Sequence, residues 1–214
     1  MTQRAVGPEL ILASTSRYRK KQLESWRIPF KSFPPKIDES KVKIDLSHLD
    51  PSSLCLELAK LKAQSIAQDH PHSLIIGSDQ MALLDGQVLD KPGSADKAKR
   101  QLTLLSGKSH SLLTSLFVCY QDRSITFLEE VKVVFKNLSN QDIEDYLSWD
   151  QAWDCAGSYK YEHLGICLIQ SVEGRDPSSI LGLPLMALSE AIEKLTGLKP
   201  FTLFSPMDRG GPLV

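Results

Sequence analysis

The chain has 214 residues, 42% hydrophobic and 24% charged, which suits a single α/β domain over 1–214 with a core of real size. Twenty-five basic residues against 26 acidic ones leave a formal net charge of −1, a balance that gives no long-range attraction for bulk nucleic acid or acidic membrane. Cys55, Cys119, Cys155 and Cys167 form no CxxC pair, against a zinc knuckle or disulfide framework, and with no apolar run approaching the roughly 18 residues of a membrane span the expected location is the cytoplasm.

Residues 10–13 are a short continuous apolar run, the pattern of a buried strand, and Ser14, Thr15 and Ser16 then supply capping groups for a helix over 17–26. Asp50 followed by Pro51 opens a second helix to about residue 68, with Leu54, Leu58 and Leu61 along one face. Residues 74–77 predict a second buried strand. Residues 81–84, the Asp85-Gly86 turn and residues 87–89 predict a hairpin, and Ser78-Asp79-Gln80 lies between the two segments. A helix over 94–105 ends at Gly107, and 111–120 with 124–135 predict an antiparallel ribbon, the second strand alternating Val131, Val133 and Phe135. Ser139 caps a helix to about Trp149, 164–170 reads as a strand, and 183–196 as a last helix closed by Gly197. The core is expected to span about 10–197, and residues 198–214, rich in Pro and Gly from Pro200, to form a flexible tail.

The first helix carries Arg17, Arg19, Lys20 and Lys21 in its opening turns, where the macrodipole is already positive and cations are disfavoured. An anion at Ser14–Ser16 and the free helix N–H groups explains the crowding, with Ser14 and Arg19 as ligands and Lys20 and Lys21 pointing into water. Asp79, wedged between apolar segments, needs a cation. Lys91, a divalent metal and Lys62 are the candidates, Lys62 because it stands four residues from both Leu58 and Ile66 on the apolar helix. On these residues alone a structural salt bridge is the default. Asp38-Glu39 follow Pro34-Pro35 in an irregular stretch, where a second carboxylate near Asp79 would hold magnesium together with substrate phosphates. Gly107-Lys108-Ser109 imitates the end of a P-loop, but Leu102 stands where that motif needs glycine. His70-Pro71-His72 lacks a nearby third metal ligand, and no Ser-His-Asp order can be argued.

Read together, Leu12-Ala13-Ser14-Thr15-Ser16 with Arg19, then Ile76-Gly77-Ser78-Asp79-Gln80, then Lys91-Pro92, resemble the Maf family of nucleotide pyrophosphatases over about residues 10–197. Cys155-Ala156-Gly157-Ser158-Tyr159-Lys160, Glu162, Gly174-Arg175-Asp176-Pro177 and Gly182-Leu183-Pro184-Leu185 resemble its 7-methyl-GTP branch more than the branch acting on dTTP and UTP. The resemblance implies an elongated two-lobed Maf/ITPase-like α/β fold, with a central mixed sheet flanked by helices and a cleft between the lobes. It implies a hydrolase releasing pyrophosphate from a nucleoside triphosphate, with a divalent cation, Mg²⁺ or Mn²⁺, as cofactor and a homodimer as the assembly. By residue, it makes Asp79 the proton acceptor, places Ser14, Arg19, Lys62, Lys91 and Lys160 on the substrate and Glu39 with Asp79 on the metal, and gives selectivity to Tyr18, Gln80 and Glu162. Two positions depart from the family: Arg17 stands where proline is usual, and Tyr18 where this branch often has tryptophan. The rival readings are a dTTP/UTP-type pyrophosphatase, a triphosphatase releasing single phosphates, and a non-catalytic nucleotide-binding regulatory module.

Overall fold

A computed structural model describes residues 7–203. Within these residues seven strands form one mixed sheet: β1 (Leu10–Ala13), β2 (Phe30–Phe33), β3 (Leu74–Leu84), β4 (Gln87–Leu89), β5 (Ser109–Tyr120), β6 (Arg123–Phe135) and β7 (Ile169–Glu173). Their order is β2-β1-β3-β5-β6-β7, with β4 folded back on β3. The β2-β1-β3 side is parallel and every pairing from β3 onward is antiparallel. Among the described residues six helices flank the sheet: α1 (Arg17–Ser25), α2 (Glu39–Asp45), α3 (Pro51–Ala67), α4 (Ala95–Leu105), α5 (Asn140–Asp150) and α6 (Leu185–Thr196). This is the mixed α/β architecture that the resemblance implies. Among the described residues no helix is long and apolar enough to cross a membrane.

Local chemistry explains most element ends. Asp50 accepts from the Ser52 and Ser53 amides with Pro51 in the first turn, Ser139 and Asp142 form a reciprocal capping box, and Gly197 closes α6 at φ 71°. Asp85 and Gly86 both have positive φ, as a tight hairpin turn requires.

Three sequence expectations need correction. Ser78-Asp79-Gln80 does not separate two strands: it lies inside β3, because β5 pairs with that strand from Ile75 to Leu83 without a break. Residues 164–170 are not one strand: Leu164–Leu168 coil into a 3₁₀ turn, and β7 starts only at Ile169. Asp38-Glu39 are not irregular, since Asp38 caps α2 by accepting from the Ser40 and Lys41 amides, and Glu39 is its first residue. Strand β2 spans only four residues with none fully buried, too short and too exposed to show a strand pattern in the sequence. Of the expected tail, Pro200–Thr202 form a 3₁₀ turn and Leu203 packs against buried apolar residues; residues 204–214 lie outside the described residues.

The long central strands run through two packing regions. Leu74 and Ile76 join the apolar cluster under α1 and α6, and Ile75 joins the cluster under α3. Farther along the same strand, Ala82 and Leu84 join a third cluster built with α4 and α5. Asp79 and Gln80 therefore sit where β3 passes from one lobe to the other. Successive β-residues point to opposite faces, so Gly77, Asp79 and Met81 share the α3 face, and Ser78 and Gln80 share the opposite one.

Candidate active site

The cleft begins as a gap in the sheet. Strand β1 pairs with β3 only from Leu74 to Ile76, and β4 pairs with it only from Ala82 to Leu84. Between them, over residues 77–81, β3 keeps β5 on one side and, among the described residues, has no strand on the other. An open cleft of about 710 Å³ lies there, walled by the start of α1, by α2, by the β4 hairpin and by the loop around residues 154–162.

On the α3 face, Asp79 is buried at 7% exposure and its Oδ1 accepts from Lys62 Nζ at 2.7 Å. Lys62 is itself buried, and its ammonium also lies 2.9 Å from Glu39 Oε2. Of the two candidate lysines, Lys62 is the one in contact with Asp79. The close approach depends on Gly77: a Cβ there would fall 2.1 Å from the Ala59 carbonyl oxygen, so glycine lets α3 lie against the strand one turn before Lys62. Two carboxylates thus share one ammonium, and Asp79 Oδ2 has no protein donor among the described residues. No group of three His, Cys, Asp or Glu side chains among those residues could by itself hold a metal. Glu39 and Asp79 fit a hard cation such as Mg²⁺, which takes one or two carboxylates and completes its shell with phosphate oxygens and water.

Ser14 and Arg19 meet at the start of α1. Arg19 donates from Nε to the Gly182 carbonyl at 2.7 Å and from Nη1 to Ser14 Oγ at 3.4 Å, while Ser14 Oγ also accepts from the Ser16 amide. Burial pulls the Arg19 pKa down, and the nearby Asp79 opposes that pull; an arginine remains cationic throughout. Sequence reasoning missed Gly182 and Ser78 as the support of this corner. Gly182 sits at φ 91°, and its carbonyl accepts from both Arg19 and Ser78 Oγ. The Gly-Leu-Pro run was the available signal. Lys20 and Lys21 lie outside the cleft wall, whereas Lys91 stands exposed on it.

Gln80 lines the cleft, but its Nε2 is committed to Thr114 Oγ1 and to the Ser179 and Ile180 carbonyls. Only its amide oxygen is left to face a ligand. Tyr18, Cys155 and Glu162 line the far end, with Tyr18 Oη 3.4 Å from Cys155 Sγ. Burial raises the Cys155 pKa to about 11, so the thiol stays protonated at neutral pH. The structure does not bring Lys160 to the cleft: its ammonium is bonded to the Asp150 carbonyl and its amide to Tyr146 Oη, at the end of α5. The neighbouring Arg175 and Asp176 are occupied elsewhere too, Arg175 with Glu129 and Asp176 with the Ser178 and Met186 amides.

A mixed sheet interrupted by a cleft, with a helix start and cations facing a buried carboxylate, makes this an α/β protein with a polar site between its lobes. The chain belongs to the family described as Maf-like protein, whose model matches residues 9–195. It is similar to proteins named 7-methyl-GTP pyrophosphatase. Those from Pseudoalteromonas atlantica and Alcanivorax borkumensis are 45% and 43% identical to it, over 87% and 86% of this chain and 94% and 92% of their own lengths. One from Bordetella pertussis is 38% identical over 92% of this chain and 97% of its own length.

Proposed function

We propose that this protein is a nucleoside triphosphate pyrophosphatase that hydrolyses 7-methyl-GTP to 7-methyl-GMP and pyrophosphate. The observation that carries the reading is the pair Asp79–Lys62, bonded at 2.7 Å on the floor of a cleft. Across that cleft face Ser14, Arg19 and the free amides of α1, in a chain 38–45% identical to proteins named for that activity.

In this reading the triphosphate lies against the start of α1, where N–H groups and the helix dipole favour anions. Arg19 and Lys91 neutralise phosphate oxygens, and Ser14 fixes the orientation of Arg19. Asp79 Oδ2 takes a proton from a water whose oxygen attacks the α-phosphorus. The bond from that phosphorus to the bridging oxygen breaks, and pyrophosphate departs with the electron pair. Lys62 balances the charge of Asp79 and Glu39 and faces the negative charge gathering on the phosphates. Asp79 and Glu39 would hold a divalent cation, which when bound neutralises phosphate charge and makes water more acidic. At the far end Glu162 accepts a hydrogen bond from the base, Tyr18 offers a ring face to the positively charged 7-methylguanine, and the Gln80 amide oxygen reads a donor on its edge.

The test is a panel of 7-methyl-GTP, GTP, dTTP and UTP with Mg²⁺ or Mn²⁺, the products separated by anion exchange. The expected result is 7-methyl-GMP and pyrophosphate in equal amounts, with 7-methyl-GTP the best substrate. A nucleoside diphosphate with free phosphate as the main products, or a preference for dTTP and UTP, overturns the reading.

A further inference from the structure

Arg17 opens α1 with no acidic residue in the first turn to offset it, so its charge adds to the positive end of the helix dipole. Two groups compensate. Its guanidinium carbon lies 4.9 Å from the centre of the Tyr18 ring, within cation–π range, and its Nη2 donates to Tyr18 Oη at 2.8 Å and to Asp154 Oδ2 at 3.1 Å. The hydrogen bond to Tyr18 and, after it, the Asp154 charge raise the Arg17 pKa. Arg17, Tyr18 and Asp154 all line the cleft at the end where Glu162 also stands, and the Arg17 side chain is 61% exposed. The aromatic side chain available to a cationic base is thus already covered on one face by a cation of the protein, anchored by a single exposed carboxylate.

We propose that Arg17 is a specificity-determining residue, an internal cation that competes with a positively charged base for Tyr18 and so lowers the margin by which the cleft prefers 7-methylguanine to guanine. This rests on the reading of Tyr18 as a base-facing residue given above. A base carrying positive charge must displace the guanidinium from the ring or bind beside it against like-charge repulsion. A neutral base meets the same guanidinium without that repulsion. Arg17 touches none of the reacting atoms, so its effect falls on binding and leaves the chemical step alone.

The experiment compares Arg17→Gln and Arg17→Lys with the parent chain, measuring KM and kcat for 7-methyl-GTP and GTP and, by calorimetry, the Kd of 7-methyl-GMP and GMP. Arg17→Gln removes the charge and withdraws the side chain from the ring, leaving a shorter neutral amide. It should raise the preference for the methylated nucleotide by about two- to fivefold, the range that a partly exposed cation–π contact commands. The change should lie in KM and Kd, with kcat within a factor of about two. Arg17→Lys keeps the charge and should retain most of the parent selectivity. An unchanged or reduced preference in Arg17→Gln overturns the proposal, as does a change confined to kcat. If 7-methyl-GTP proves not to be a substrate, the proposed function fails, and the ratio of the two monophosphate affinities still decides the role of Arg17.

Discussion

Lys62 and Asp79 are bonded at 2.7 Å although they belong to different elements, one on a helix and one in the middle of a strand. Both side chains are nearly enclosed, at 5% and 10% exposure, and both line the floor of the cleft. Asp79→Asn keeps the shape and removes the proton acceptor. It should lower kcat by about a hundredfold or more while 7-methyl-GTP still binds, because Arg19, Lys62 and Lys91 remain. Undiminished turnover in this variant would remove Asp79 from the chemistry.

Glu162 stands exposed on the cleft wall, where a plain solvated acid would be unremarked. If it accepts from a ring carrying positive charge, Glu162→Gln replaces a charge-assisted hydrogen bond by a neutral one. The loss in kcat/KM for 7-methyl-GTP should then exceed the loss for GTP by about 1.5–3 kcal/mol. Parallel losses on the two substrates would return Glu162 to solvent.

Gly77→Ala tests the contact that lets Lys62 reach Asp79. The added methyl would lie 2.1 Å from the Ala59 carbonyl oxygen and 2.9 Å from the Ala63 Cβ, so α3 must move. A stability loss of about 2–3 kcal/mol in urea is expected from such overpacking, together with a fall in kcat as Lys62 shifts. A variant as stable and as active as the parent would show that the approach of α3 is not what sets the pair.

His110 lies in the second lobe at 2% exposure, edge-on to Phe135 and Tyr159, with Nε2 3.0 Å from Tyr159 Oη and Nδ1 without a partner among the described residues. Burial pushes its pKa down to about 4. The neutral form is therefore the folded form. Above pH 6.5 both states are neutral at this site and it carries no penalty. Between about 6.5 and 4 the unfolded chain takes up a proton that the folded chain resists, and stability is lost as the pH falls. The loss should total about 3 kcal/mol, taking 1.36 kcal/mol per pKa unit. Urea melts at pH 7 and pH 4.2 should show the parent losing that much more than His110→Gln. Equal pH dependence in the two chains would mean that His110 is solvated or paired in the fold.

How much of this could be read from residues alone follows from how local each signal is. The Asp50-Pro51 start of α3 and the Asp85-Gly86 turn are decided by side chains within a few residues, and both lie where the sequence indicates. The spacing of Lys62 from Leu58 and Ile66 also placed it correctly at the border of a buried face. Continuity of β3 through Ser78-Asp79-Gln80 is different. Its polar run breaks the apolar pattern, and only pairing with β5, more than thirty residues away in sequence at Ser115 for Asp79, holds it extended. Helix α2 escaped because it buries no residue and so shows no apolar stripe. Lys160 shares a short segment with Glu162, and no sequence spacing says which of two neighbours in an irregular loop turns toward the cleft and which toward Asp150.

The unpaired side of β3 between β1 and β4 is, in other terms, an edge strand placed in the middle of a sheet. Exposed edges invite foreign strands and aggregation, and proteins commonly cover or shorten them. Here the open stretch covers only residues 77–81, and it is bounded at both ends by strands already paired to β3. A passing chain cannot lay enough backbone into so short an interval to form a stable ladder, while a compact polar ligand can. The protein thereby keeps a stretch of β3 open to the cleft without offering a template for its own misassembly.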